Sequence, residues 1–162
     1  MTDFNKEKWG LATDTAIELV KKLPADCLQY KPDITDAWSI HEHVIHMVDS
    51  EINAFLRLKT ILGQPGSRTF IIDESEWVRK IDYEKENIED YLDIFKLIRK
   101  VERDLILTCI KSEKDYSQNY AVHDSFGKVD INTWISWYSE NHISEHLDYI
   151  KRNLENWENN QF

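Results

Sequence analysis

A chain of 162 residues, 41% hydrophobic and 31% charged, buries a core without covalent staples and reads as one domain over 1–162. Four glycines and three prolines are too few for the turns of an all-β sandwich or barrel, so long helices are expected. Twenty basic against thirty acidic side chains leave a net charge of −10, which repels phosphate backbones and anionic bilayers and speaks against nucleic-acid or membrane partners.

The first predicted helix carries Phe4, Leu11, Ala16, Ile17, Val20 and Leu23 at helical rather than alternating spacing. Pro24 ends it, because proline lacks a donor and disfavours helix in the residue before it. Cys27 to Ala37, with Pro32 and several polar residues, reads as a connecting loop. Ser39 and Glu42 then form an S-x-x-E capping box, each satisfying an orphan amide at the start of a second helix. Its apolar series Ile40, Val44, Met47, Val48, Ile52, Phe55, Leu58, Leu62 runs to a natural stop at Gly63. Gly63 to Tyr83 is the least regular stretch, and a connection of that length implies a crossover between helices that are not hairpin neighbours.

A third helix is expected from about Glu84 to about Lys111, with Ile88, Tyr91, Leu92, Phe95, Ile98, Val101, Leu105 and Ile106 as its apolar face. Tyr120 to Val129 breaks the pattern and suits a small hairpin or an irregular loop. Asp130 is a good N-cap for a fourth helix, about Ile131 to Trp157. The reading is all-α: four long helices packed as a bundle with one long crossover. Cys27 and Cys109 form no C-x-x-C pair and read as reduced, partly buried thiols of a cytoplasmic protein. Met1 to Glu7 carry no secretion-signal pattern, and no apolar run approaches a membrane span.

The residues with chemistry to offer are histidines. His142 and His146, at i, i+4, stack on one face of the fourth helix. On a helical wheel they fall inside the apolar arc of Ile131, Ile135, Tyr138, Tyr149 and Ile150. Imidazoles facing a core need partners, and hydrogen bonds or a metal ion would both serve. His41, His43 and His46 open the second helix. His41 falls in the apolar stripe, His43 at its edge, and His46 on the polar side with Glu42, Asp49 and Asn53. The wheel therefore leaves the third ligand open, although a cleft-facing His46 suits a hydrated metal. Solvation or capping is the simpler reading of His41 and His43, and solvation that of Asp49 and Glu51. Tyr138 lies one turn before His142 on the same face, so its hydroxyl could reach a metal-bound ligand. His142-x-x-Glu145-His146 also fits the H-x-x-E-H pattern of inverted zinc peptidases, whose third ligand is a distant downstream acid. Only a short tail with Glu155 and Glu158 follows, so Glu145 reads as a solvated helix-face carboxylate.

Trp38-Ser39-Ile40-His41-Glu42-His43-Val44-Ile45-His46-Met47-Val48-Asp49-Ser50-Glu51 resembles the second-helix signature of the DinB-like (YfiT-like) metalloproteins, roughly W-S-I-x-E-x-x-x-H-L-x-D-x-E. Trp134 to Ile150 looks like that family's closing H-x-x-x-H helix. The resemblance spans nearly the whole chain, although only these two segments are specific. It implies an up-down-down-up four-helix bundle with a divalent metal held by His46, His142 and His146. His46 matches by its distance from Trp38-Ser39-Ile40; His41 and His43 lie outside the family pattern. Met47 stands where leucine is usual, a volume-conserving change.

Three neutral imidazoles leave a metal its full charge and at least one open position. Zinc and nickel both accept such ligands. The open position can hold a water whose pKa falls toward 7, or a thiol that the metal deprotonates. The resemblance brings both chemistries: hydrolase-type relatives, and transferases using a low-molecular-weight thiol such as bacillithiol or mycothiol. The expected function is a metal-dependent transferase or hydrolase acting on a small molecule. The alternative is a non-enzymatic metal-binding, stress- or damage-inducible protein, which would want a fourth protein ligand that the sequence does not obviously supply. A homodimer is a further expectation, since amphipathic bundles with this aromatic content often pair.

Overall fold

Helix-start chemistry sets most of the boundaries in the computed structural model, which describes residues 4–70 and 72–161 and, at 74, 139 and 140, the backbone alone. The leader reading falls partly on Met1 to Asp3, outside the described residues. Helix α1 (Lys6–Lys21) starts where the Asn5 side chain accepts from the Glu7 and Lys8 amides. Pro24 stops it as expected, but also starts α2 (Ala25–Gln29), in a stretch read as loop. A proline that cannot continue one helix suits the entry to the next, where a missing N–H costs nothing.

Helix α3 (Ile40–Gly63) opens on the expected capping box: Ser39 Oγ accepts from the Glu42 amide at 3.1 Å, and Glu42 Oε2 accepts from the Ser39 amide at 2.8 Å. The crossover contains α4 (Glu74–Lys80) and a single 3₁₀ turn at Tyr83–Lys85. Helix α5 (Ile88–Lys111) follows, capped by Asn87. Strands β1 (Tyr120–His123) and β2 (Gly127–Asp130) form the small hairpin, Tyr120 opposite Asp130 and His123 opposite Gly127. The crossover runs along its edge: Thr69 N–H donates to Val122 O at 3.0 Å, and Val122 N–H to Ser67 O at 2.9 Å. The fourth helix is broken into α6 (Ile131–Ser136), a π-helical turn at Trp137–Asn141, and α7 (His142–Asn159).

Three apolar layers give the helix directions. One holds Val20, Ile40, Val44, Leu92 and Ile150; the next Ala16, Met47, Val48, Phe95, Ile143 and Leu147; the third Trp9, Ala54, Leu58, Ile106 and Trp134. Residue numbers rise through the layers in α3 and α5 and fall in α1 and the α6–α7 helix. The bundle is therefore up-down-down-up, with α3 and α5 parallel and the crossover spanning their length. Each fully buried Ile, Leu or Phe contributes roughly 1.5–3 kcal/mol by leaving water. Among the described residues, no helix is long and apolar enough to cross a membrane.

Helix α3 packs against α2, α4, α5, α6, α7 and β1. It has little solvent face in its first half. This overturns the wheel's polar side, where Glu42 and Asn53 are buried; His43, at the stripe's edge, and Glu51 are buried too.

Candidate metal centre

Two helices bring four imidazoles together. His43 and His46 come from α3, and His142 and His146 from the start of α7. Ring centroids lie 4.7 Å apart for His142 and His146, 5.0 Å for His46 and His146, 6.3 Å for His46 and His142, and 5.7 Å for His43 and His146. Each of His46, His142 and His146 offers one ligand atom within 4.8 Å of the other two. The Nε2 atoms of His142 and His146 are 3.2 Å apart. Ligands on a tetrahedral zinc at about 2.0–2.1 Å sit about 3.3 Å from one another, so the pair fits one ion. Glu145 is exposed and stands apart from this cluster.

Burial pushes His43, His46 and His146 toward their neutral, metal-ready form. His43 falls to about 4, through burial and then the Arg152 charge. His46 falls to about 4 and His146 to about 2, through burial first and then the neighbouring histidines. Solvation of His41 and His43 is thus the wrong reading, because α3 is enclosed from several sides. His41 stands apart from the cluster, its Nδ1 accepting from Gln29 Nε2 at 3.1 Å.

Aromatic rings surround the cluster. Trp38 meets His46 edge-on at 4.8 Å, Tyr149 stacks on His43 at 5.2 Å, and Tyr138 meets His142 edge-on at 5.8 Å. Asp49 and Glu51 are not solvated. Asp49 accepts from the Tyr83 hydroxyl, and Glu51 is fully buried against Arg99 at 2.7 Å. The Tyr138 hydroxyl oxygen accepts from Arg57 Nη1 at 2.8 Å. Tyr149, placed on the apolar arc, is 43% exposed.

The π-helical turn explains that last shift. The His142 amide donates to Trp137 O, five residues back, so one extra residue is accommodated and the face of α7 rotates. Tyr138 O, which an α-helical His142 would have engaged, accepts from Arg99 Nη1 at 3.1 Å. Arg99 also lies 3.3 Å over the Trp9 ring and donates from Nε to Thr13 Oγ1 at 3.2 Å. Burial and then the Glu51 charge hold the Glu102 carboxyl well above the carboxylate range. This buried Glu51–Arg99–Glu102 group was not anticipated. Its signal was present in spacing alone: Leu92, Phe95, Arg99, Glu102, Ile106 and Cys109 keep a 3-4 rhythm, two charged residues among core positions.

No protein-family model matches the chain. It is 26% identical over 122 residues to a protein of Oceanobacillus iheyensis named "putative metal-dependent hydrolase", a match covering 71% of this chain and 66% of that one. A protein of Halalkalibacterium halodurans with the same name is 33% identical over 49 residues, 30% of this chain and 29% of that one. The chain therefore matches slightly under two thirds of the first relative's length and under a third of the second's. In structure it is similar to YfiT from Bacillus subtilis, described as "a probable metal-dependent hydrolase with an unusual four-helix bundle topology". The TM-score is 0.73 at 18% identity, covering 94% of this chain and 89% of YfiT. At that identity the likeness speaks for the fold. Its helix order and these likenesses show that the chain has the four-helix-bundle fold of YfiT and resembles the DinB/YfiT-like proteins.

Proposed function

We propose that the chain is a metal-dependent enzyme of hydrolase type acting on a small molecule, with one divalent metal, zinc or nickel, held by His46, His142 and His146. The observation that carries this is the convergence of the His142 and His146 Nε2 atoms at 3.2 Å beside His46. Burial supports it by keeping the His46 and His146 rings neutral, with lone pairs available at neutral pH. A divalent ion bound there would supply Lewis acidity, lowering the pKa of a bound water or thiol.

The chain's own residues do the rest. Trp38 and the Tyr83–Asp49 contact hold the start of α3 in place, while the π-turn sets the face of α7 that carries both His142 and His146. Tyr138, fixed by Arg57, is the proposed proton-transfer group beside His142. With three ligands the site keeps an open position, which favours catalysis over a closed structural clip. The same position would take a low-molecular-weight thiol, the transferase variant of this reading. Two buried, unbridged cysteines support a reducing, cytoplasmic setting, and a homodimer belongs to the same proposal.

Elemental analysis of the purified protein tests the site. About one divalent transition metal per chain is expected, lost in His46→Ala, His142→Ala and His146→Ala and kept in His43→Ala. Full occupancy in His146→Ala with loss in His43→Ala would assign the wrong imidazoles.

A further inference from the structure

We propose that the pocket beside His43 seats an amino-acid-type zwitterion, its carboxylate at Arg152, its ammonium toward Asp36 and its apolar body against Trp38 and Ile34. The pocket holds about 300 Å³, room for one small molecule, between the loop before α3 and the middle of α7. Calling its occupant a substrate rests on the metal reading above; its binding does not.

Charge is the first support. In a chain of net charge −10, Arg152 makes no ion pair among the described residues. Its guanidinium lies over the Tyr149 ring at 4.9 Å and meets the pocket. Asp36 lines the same pocket and pairs with neither Arg152 nor any other cation among the described residues. A pocket with one unpaired cation and one unpaired anion is complementary to a molecule carrying both signs.

Unsatisfied buried atoms are the second. Asn153 is 1% exposed and donates from Nδ2 to Trp38 O at 2.8 Å, while its Oδ1 has no hydrogen-bond partner. His43 is 6% exposed and its Nδ1 likewise has none. Each such atom costs on the order of 1–3 kcal/mol. Both residues line this one pocket.

Position is the third. Arg152, Tyr149 and His43 form one stack, the two rings 5.2 Å apart and 6° from parallel, and His43 lies 5.7 Å from His146. A ligand anchored at Arg152 is therefore held at the edge of the histidine cluster.

The test is calorimetric titration of the metal-free protein with L-phenylalanine, 3-phenylpropionate and phenethylamine, which share a phenyl body and differ in charge. Phenylalanine should bind about tenfold tighter than either analogue, a margin of one charge-assisted contact. Arg152→Gln should bring phenylalanine down to the phenethylamine level, and Asp36→Asn down to the phenylpropionate level. Arg79→Gln, on α4 and away from the pocket, should change nothing. Equal binding of all three probes, binding of none, or a preference that survives both pocket variants overturns the proposal. The zinc-loaded protein is titrated in parallel. Charge-selective binding in a protein that takes up no zinc removes the metal reading and leaves the pocket. Zinc uptake by a protein whose metal-free form ignores all three probes does the reverse.

Discussion

Arg99 and Glu51 form an ion pair at 2.7 Å in which neither side chain keeps more than 1% of its surface in water. Desolvation makes such a pair costly to assemble and costlier to break, because removing one partner strands a buried charge. Glu51→Gln should therefore destabilise the fold by about 3–5 kcal/mol. Glu102→Gln, which mimics a protonated carboxyl, should cost less than about 1 kcal/mol. Urea unfolding at neutral pH checks both, and equal losses would mean that Glu102 is ionised.

Glu102 also gives stability a pH slope. Its pKa is raised in the folded state, by burial and then by Glu51. The unfolded chain releases this proton near the ordinary glutamate value, whereas the folded chain keeps it. The associated stability is thus fully present below about pH 4.5 and is lost as pH rises toward the raised value. Glu102→Gln should flatten that loss, read from melting temperatures between about pH 5 and 8.

The histidines impose the opposite slope on the metal-free protein. His43 and His46 are held to about 4, so the unfolded chain takes up their protons first as pH falls. Stability should drop between about pH 6.5 and about 4, by on the order of 1.4 kcal/mol per pH unit for each group. His43→Gln should remove one share of the slope. A flat profile over that range would mean that these rings are hydrated.

Metal binding should stabilise by mass action, about 2.7 kcal/mol at a hundredfold excess over the dissociation constant. Chelation should leave the bundle folded, because its three apolar layers include none of the histidines. A random-coil circular dichroism spectrum of the chelated protein would show that the core does not stand alone.

Much of this architecture was legible from local chemistry. Ser39 with Glu42, Gly63, and the turn before Asp130 announced element boundaries because capping and turn geometry depend on neighbours in sequence. The i, i+4 pair His142 and His146 was legible for the same reason. Enclosure was not. A wheel assumes one wet face, and α3 has almost none around His41, His43 and Glu51, a property of what packs around it. Arg99 and Glu102 keep the core rhythm, but their charge ordinarily marks a surface. The π-turn left no composition signal, and it moved Tyr149 off the face on which even spacing had set it.

The π-turn has its own test. Deleting one residue within Trp137–Asn141 should restore α-helical register and swing His142 and His146 by about 100° relative to α6. Helical content should persist while metal stoichiometry falls toward zero. Retained stoichiometry would mean that the extra residue does not aim these ligands.

The crossover between α3 and α5 divides the molecule into two pieces of unequal endowment. Of the three proposed ligands, the piece before it carries His46 and the piece after it carries His142 and His146. Severed there, the first fragment would have a single ligand and the second a bare i, i+4 pair; neither could reproduce the full set. A metal ion would then report on the meeting of the fragments, tight when the halves associate and weak when they part. The proposed centre is in that sense bipartite, a seam between two half-bundles, and its affinity would measure how firmly they close.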